Sequence, residues 1–185
     1  MTARSVNGWP VLTGTTDGQL PRLRRWVIPT PGAPADRHLY LRDGSAGFLL
    51  AHLAVWFHER VERLDLGVWD EWGYANRPVR GSTSSISNHA SGTAMDLNAT
   101  RHPLGVPISR TFTTAQVRAI RHRLKLYHGR VDWGGEWSRP DGMHFELAPG
   151  TTLDGVERVA RGLIDSPRGE RVLDANPGAL AIIKR

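Results

Sequence analysis

The 185-residue sequence contains no cysteine, which excludes disulfide bonds and thiolate metal ligands. Any bound metal must therefore be held by His, Asp or Glu side chains. No apolar run approaches the roughly 18 residues that span a bilayer, and residues 1–8 lead into no hydrophobic region of the signal-peptide kind. We therefore expect neither a membrane span nor a signal peptide.

Two common hydrolase motifs are also missing, because the sequence has no His-Glu-x-x-His helix and no Gly-x-Ser-x-Gly turn. The chain is 39% hydrophobic and 23% charged, which is typical of one soluble domain with a real core. The formal charge of +6 favours an anionic partner, either nucleic acid or an acidic polymer such as a bacterial cell wall. The arginines are dispersed, however, as on an ordinary solvated surface.

Apolar residues at helical spacing predict one principal core helix, from Ser45 to about Asp65, with Ser45 as its N-cap and a stop at Gly67. His52 and His58 lie six residues apart in this helix. That spacing does not place two ligands on one face, so we assign both histidines to packing or to the surface.

The remaining patterns predict an α+β fold, in which a small antiparallel sheet is flanked by helices. The turn-rich residues 1–45 read as an irregular arm with one or two short strands. Strands are predicted over 68–74, 94–98 and 142–147, and helices over 113–129 and, more weakly, 153–164, before a polar tail. We divide the chain into an N-terminal arm (1–45), a central domain (46–150) and a C-terminal helix and tail (151–185).

Two separated segments carry the residues of a possible metal site. His89 and Asp96 lie seven residues apart among small residues, and Asp141 precedes His144 by three. A catalytic zinc keeps three protein ligands and one open position, and His89, Asp96 and His144 would supply the three. Asp141 would then lie beside the metal, where a carboxylate can accept a proton and return it to a leaving amine. Spacing alone also allows a structural role for His89.

These segments resemble a known family of enzymes. Ser87-x-His89-x-x-Gly92-x-Ala94-x-Asp96, followed by Trp133-Gly134-Gly135-x-Trp137 and Asp141-Gly142-Met143-His144-Phe145, is similar to the VanY-like M15 zinc peptidases. That family includes D-alanyl-D-alanine carboxypeptidases and L-alanyl-D-glutamate endopeptidases. The resemblance covers residues 48–147, and the lead-in over residues 77–82 resembles the bacteriophage endolysin branch.

The resemblance implies that His89, Asp96 and His144 bind Zn²⁺ on the face of the sheet and that Asp141 is the catalytic base. Many members carry Glu at that last position. The family also has an arginine upstream of the first ligand that stabilises the oxyanion, and here either Arg77 or Arg80 fills that place. A fixed cation aimed at charge that develops in the transition state typically lowers the barrier by a few kcal/mol.

Other residues near the motifs receive supporting roles. We expect Ser87 to orient the His89 loop, because no base beside it would make it a nucleophile. Trp133 and Trp137 either line a substrate groove or pack beneath the site. Glu146 shares a strand face with His144 and is a candidate partner for it, whereas His102 reads as an exposed loop histidine.

The function that the resemblance implies is hydrolysis of an amide bond in the peptidoglycan stem peptide, as an L-alanyl-D-glutamate endopeptidase of a phage lysin. Such a lysin would accumulate in the host cytoplasm as a monomer before it acts on the wall. The alternatives are a D-alanyl-D-alanine carboxypeptidase and a non-catalytic, zinc-stabilised cell-wall-binding module. Nucleic-acid binding rests on charge alone, and we do not expect it.

Overall fold

The structure is a computed structural model that describes residues 3–13, 22–64 and 68–183. Over these residues it is an α+β fold with two small antiparallel sheets and five α-helices, which confirms the predicted class. The elements are β1 (Leu23–Ile28), β2 (Arg37–Arg42), α1 (Ser45–Arg60), β3 (Ala94–Asp96), α2 (Thr114–Leu124), β4 (Val131–Trp133), β5 (His144–Leu147), α3 (Leu153–Arg161), α4 (Pro167–Asp174) and α5 (Ala179–Ile183). The division into an arm, a central catalytic domain (46–150) and a tail stays a prediction.

Helix α1 is the centre of the core, as its apolar pattern predicts. Every residue from Ser45 to His58 is buried, so His52 and His58 are packing residues. The helix is capped by Gly44 rather than by Ser45 and ends at Arg60, while the predicted end and stop at residues 65 and 67 lie outside the described residues. None of the helices in the described ranges is long and apolar enough to cross a membrane.

The first sheet is an antiparallel hairpin of β1 and β2, built from residues assigned to the irregular arm. Its apolar side chains Trp26, Ile28, Leu39 and Leu41 are buried in the same core cluster as α1. The expected polar tail is also folded, because Val172 of α4 and Ile183 of α5 are fully buried in that cluster. Both ends of the chain therefore contribute to the core around α1.

The second sheet has the strand order β3-β5-β4, and Asp96 of β3 lies directly opposite His144 of β5. Residues 68–74 do not form the predicted strand. Trp72 makes a single two-way bridge to Asp96, with N···O distances of 3.0 and 2.8 Å, and the Tyr74 amide donates to the Tyr40 carbonyl of the first sheet at 2.6 Å. The segment joins the two sheets, and its Val68 side chain is exposed, so no continuous apolar face favours a regular strand.

Candidate metal centre

The loop that carries His89 is held by local hydrogen bonds. The Ser87 side chain accepts from the His89 amide at 3.3 Å and begins a short 3₁₀ turn over Asn88–Ser91. Gly92 follows with φ 67°, a conformation that favours glycine, and a Cβ there would lie 2.7 Å from the Arg42 amide nitrogen. Arg42 fixes the same loop through its amide, which donates to the Gly92 carbonyl at 2.7 Å. The backbone around His89 is therefore closely defined.

The other two candidate ligands are placed by strand register. Asp96 and His144 are directly opposed on β3 and β5, and directly opposed residues of an antiparallel pair share one face of the sheet. Glu146 lies two residues after His144, on that same face. The sheet therefore presents two carboxylates and one imidazole toward the His89 loop.

Three ligand atoms from these residues form a compact triangle. His89 Nε2 lies 3.3 Å from His144 Nδ1 and 3.4 Å from Asp96 Oδ1, and His144 Nδ1 lies 2.9 Å from Asp96 Oδ1. A tetrahedral zinc with bonds of roughly 2.0–2.2 Å holds its ligand atoms about 3.3 Å apart. All three residues are buried, and their geometry fits a zinc ion.

In both histidines, the ring nitrogen that is not part of the triangle donates a hydrogen bond to an oxygen atom. His89 Nδ1 donates to the Gly73 carbonyl at 2.6 Å, and His144 Nε2 donates to Glu146 Oε2 at 2.8 Å. Glu146 Oε2 also accepts from Asn88 Nδ2 at 2.6 Å. Such bonds fix the tautomer and leave the other nitrogen's lone pair for a metal, so both imidazoles are oriented as ligands.

The electrostatics of the cluster favour positive charge at its centre. Burial alone would raise the pKa of Asp96, but His89 and His144 hold it well below its usual value. Burial alone would lower the pKa of His144, but its hydrogen bonds to Asp96 and Glu146 raise it to about 10. A divalent cation here would displace a proton that the carboxylates now stabilise.

A cavity of about 560 Å³ opens over the three ligands and contains Asp141. Asp141 is 8% exposed, and among the described residues its Oδ1 has no hydrogen-bond partner. Burial raises the pKa of Asp141 above its usual value, against the opposing charge of His144 and, to a lesser extent, Arg80. Arg77 is half-buried and Arg80 is exposed, and both line the same cavity.

The two tryptophans of the Trp-Gly-Gly-x-Trp motif have different positions. Trp133 is 2% exposed, stacks on Phe145 and donates through Nε1 to the Gly142 carbonyl at 2.8 Å, so it supports the site from the core. Of the two roles considered for Trp133, its burial favours packing beneath the site over lining a substrate groove. Trp137 is 41% exposed, lines the cavity and places its ring 5.2 Å from that of His144.

Glycine next to Trp133 lets the segment that carries Asp141 approach closely. A Cβ on Gly134 would lie 2.7 Å from the Asp141 carbonyl oxygen, and the Asp141 amide donates to the Gly134 carbonyl at 2.8 Å.

The expected exposure of His102 is wrong, because this ring is 1% exposed and stacks on Phe112 at 3.7 Å. His102 binds Glu62 and does not contribute to the centre.

Replacing Glu146 by glutamine should weaken zinc binding by about 10- to 100-fold, the usual effect of losing a carboxylate that orients a histidine ligand. Glutamine lacks the charge that now holds both His144 and Asn88. The dissociation constant can be measured by competition with a chromogenic chelator. Glu136→Gln is a matched control, since Glu136 pairs on the surface with Arg121. An unchanged dissociation constant in Glu146→Gln would contradict this role.

Comparison with known proteins locates the centre within a recognised family segment. A model of the M15 peptidases, described as D-alanyl-D-alanine carboxypeptidase, matches residues 80–147. Searches of curated proteins and of solved structures gave no match. The matched segment contains His89, Asp96, His144, Asp141 and Arg80 but begins after Arg77. The match supports the M15 peptidase family for this chain, and that family implies a metallopeptidase.

Proposed function

We propose that the protein is a zinc-dependent peptidase that hydrolyses an amide bond in the peptidoglycan stem peptide. One observation carries the proposal. Three buried ligands meet beside Asp141, whose Oδ1 has no partner among the described residues, in a cavity lined by arginines. The family match over residues 80–147 supports the same activity at family level.

The zinc would be held by His89, Asp96 and His144. When bound, it would act as a Lewis acid that polarises the amide carbonyl and lowers the pKa of water. Asp141 accepts the proton of the attacking water and returns it to the leaving amine. Burial raises the pKa of this carboxyl, and a base whose pKa is nearer to the working pH is a better proton donor in the second step.

We assign the oxyanion role to Arg80, with Arg77 as the alternative. Both line the cavity, but Arg80 is among the charges that act on the Asp141 carboxyl, and it lies inside the matched segment. A cation placed beside the base can stabilise negative charge as it develops on the substrate carbonyl.

An endopeptidase remains our choice of reaction. A second groove also reaches His89 and Asp96, so the substrate has room on more than one side of the ligands. The description of the matching family favours the alternative, a D-alanyl-D-alanine carboxypeptidase. Asp141 Oδ1, which has no partner in the part of the chain that the structure describes, argues against a purely structural zinc module, because such a module needs no base.

We further propose that the protein is a phage lysin, and this proposal rests only on the resemblance of residues 77–82 to endolysins. It would reside in the host cytoplasm before it reaches the wall.

The test is digestion of purified peptidoglycan with and without a chelator, followed by mass analysis of the released fragments. New amino termini on D-glutamate would support the endopeptidase, and free D-alanine would support the carboxypeptidase. Release that is chelator-sensitive and restored by zinc supports the metal's role. No release from any wall type by zinc-loaded protein would overturn both reactions.

A further inference from the structure

A second groove, of about 390 Å³, meets the metal centre. It shares Arg77, Arg80, His89 and Asp96 with the larger cavity. Its remaining wall includes the exposed aromatic side chains of Tyr40, Trp69 and Trp72, which we call the aromatic wall. The groove therefore borders the proposed site of hydrolysis.

Strand register places Trp72 next to the ligands. Trp72 is bridged to Asp96, and Asp96 is directly opposite His144. Directly opposed residues share a face, and neighbouring strands lie about 4.8 Å apart. Trp72, Asp96 and His144 therefore form one row across the sheet, with Trp72 one strand spacing beyond the nearest ligand.

The exposed aromatic residues of the protein are concentrated in this region. Among the described residues, the exposed large aromatics are Tyr40 at 48%, Trp69 at 46%, Trp72 at 47% and Trp137 at 41%. The first three line the groove, and the fourth lines the cavity over the ligands. Exposed apolar surface gathered in one place marks a binding site, and tryptophan provides a large rigid contact area.

The aromatic wall is held in position by its neighbours. The Arg37 guanidinium lies 4.6 Å from the Trp69 ring centroid, and the His38 ring lies 4.5 Å from it. Arg37 is itself paired at 3.3 Å with Glu71, whose side chain is fully buried. A surface organised before the ligand arrives loses less entropy on binding.

Several backbone groups of this segment are already paired, which disfavours a peptide strand as the ligand. The Trp72 amide and carbonyl bond to Asp96, the Gly73 carbonyl accepts from His89, and the Tyr74 amide donates to Tyr40. A peptide that adds to a sheet edge needs unpaired backbone groups. The groove instead presents the exposed side chains of the aromatic wall, and aromatic side chains can pack against the C–H face of a sugar ring.

We propose that the aromatic wall binds a sugar ring of the peptidoglycan glycan strand while the attached stem peptide lies across the metal centre. The inference rests on the proposed function. Stem peptides are linked to the glycan at their first residue, and one extended residue spans about 3.5 Å. A sugar site one strand spacing from the ligands therefore fits cleavage after the first residue, whereas a bond four residues away would lie about 14 Å from the glycan.

The test compares two substrates that share one peptide. The first is a disaccharide-linked stem peptide, and the second carries an acetyl group in place of the sugar. Zinc-loaded wild-type protein should have a kcat/KM at least about tenfold higher on the first, the discrimination that 1.4 kcal/mol of extra binding gives. Trp72→Ala should bring the ratio of the two kcat/KM values close to one, and Trp72→Phe should keep most of the preference for the first substrate.

Leu126→Ala is the control variant, because Leu126 is also an exposed apolar residue but lies outside both cavities. A second measurement does not depend on catalysis. Addition of the free disaccharide should shift the indole N–H NMR signals of Trp69 and Trp72 and leave that of the buried Trp26 in place.

The proposal is overturned if the indole signals do not move, or if Trp72→Ala lowers kcat/KM equally on both substrates. If the signals move but neither substrate is cleaved, the sugar site stands and the peptidase proposal fails.

Discussion

Replacing Asp141 by alanine should lower the rate of stem-peptide hydrolysis by about 10²- to 10⁴-fold, the usual contribution of a positioned acid–base group. The zinc dissociation constant should stay close to that of the wild type, because Asp141 is not one of the three ligands. Asp141→Glu should restore part of the rate, since it keeps a carboxylate and many members of the resembled family carry Glu there. Hydrolysis can be followed by fragment release and zinc content by metal analysis.

The pKa of Asp141 also predicts how kcat/KM changes at the acid end of the pH profile. Asp141 must be ionised to accept a proton, so kcat/KM should fall as the pH drops through its pKa. Because burial raises that pKa, the fall should begin at a higher pH than the value of about 3.9 for an ordinary Asp would give. Asp132→Asn is the matched control, because Asp132 lines the same cavity. Wild-type hydrolysis by Asp141→Ala would exclude Asp141 as the base.

The three candidate ligands could be proposed from the sequence because their spacing and the resemblance to the M15 peptidases point to the same side chains. His89, Asp96 and His144 are short-range features of two motifs, and the two-residue period of a strand was enough to pair Glu146 with His144. The antiparallel register of β3 and β5 places Asp96 opposite His144, and the 3₁₀ turn over Asn88–Ser91 carries His89. Local sequence therefore contained most of what defines the centre.

The supporting contacts could not be predicted in the same way, because they join distant backbone atoms. The Gly73 carbonyl that orients His89 has no side-chain signal, and the Trp72 bridge to Asp96 depends on how two sheets meet. His102 is buried by stacking on Phe112, ten residues further along the chain. The 3₁₀ turn over Gly134–Glu136 separates Trp133 from Trp137, so a simple strand alternation misplaces one of them.

Adding zinc to the wild-type protein should raise its free energy of unfolding by about 4 kcal/mol at a thousandfold excess over the dissociation constant. Only the folded chain brings His89, Asp96 and His144 together, so metal binding is coupled to folding. For a protein of this size, the melting temperature should rise by roughly 10 °C. Thermal unfolding with and without zinc measures the effect.

His89→Ala should reduce that zinc-dependent gain to below about 1 kcal/mol, because a thousandfold weaker site is only half filled at the same zinc concentration. His122→Ala is the matched control, since His122 is exposed on α2 and outside the cluster; it should keep the full gain. Equal stabilisation of all three proteins would place zinc elsewhere. Retained stabilisation in Asp141→Ala, together with its loss in His89→Ala, would separate the binding of the ion from the proton transfer that we propose for Asp141.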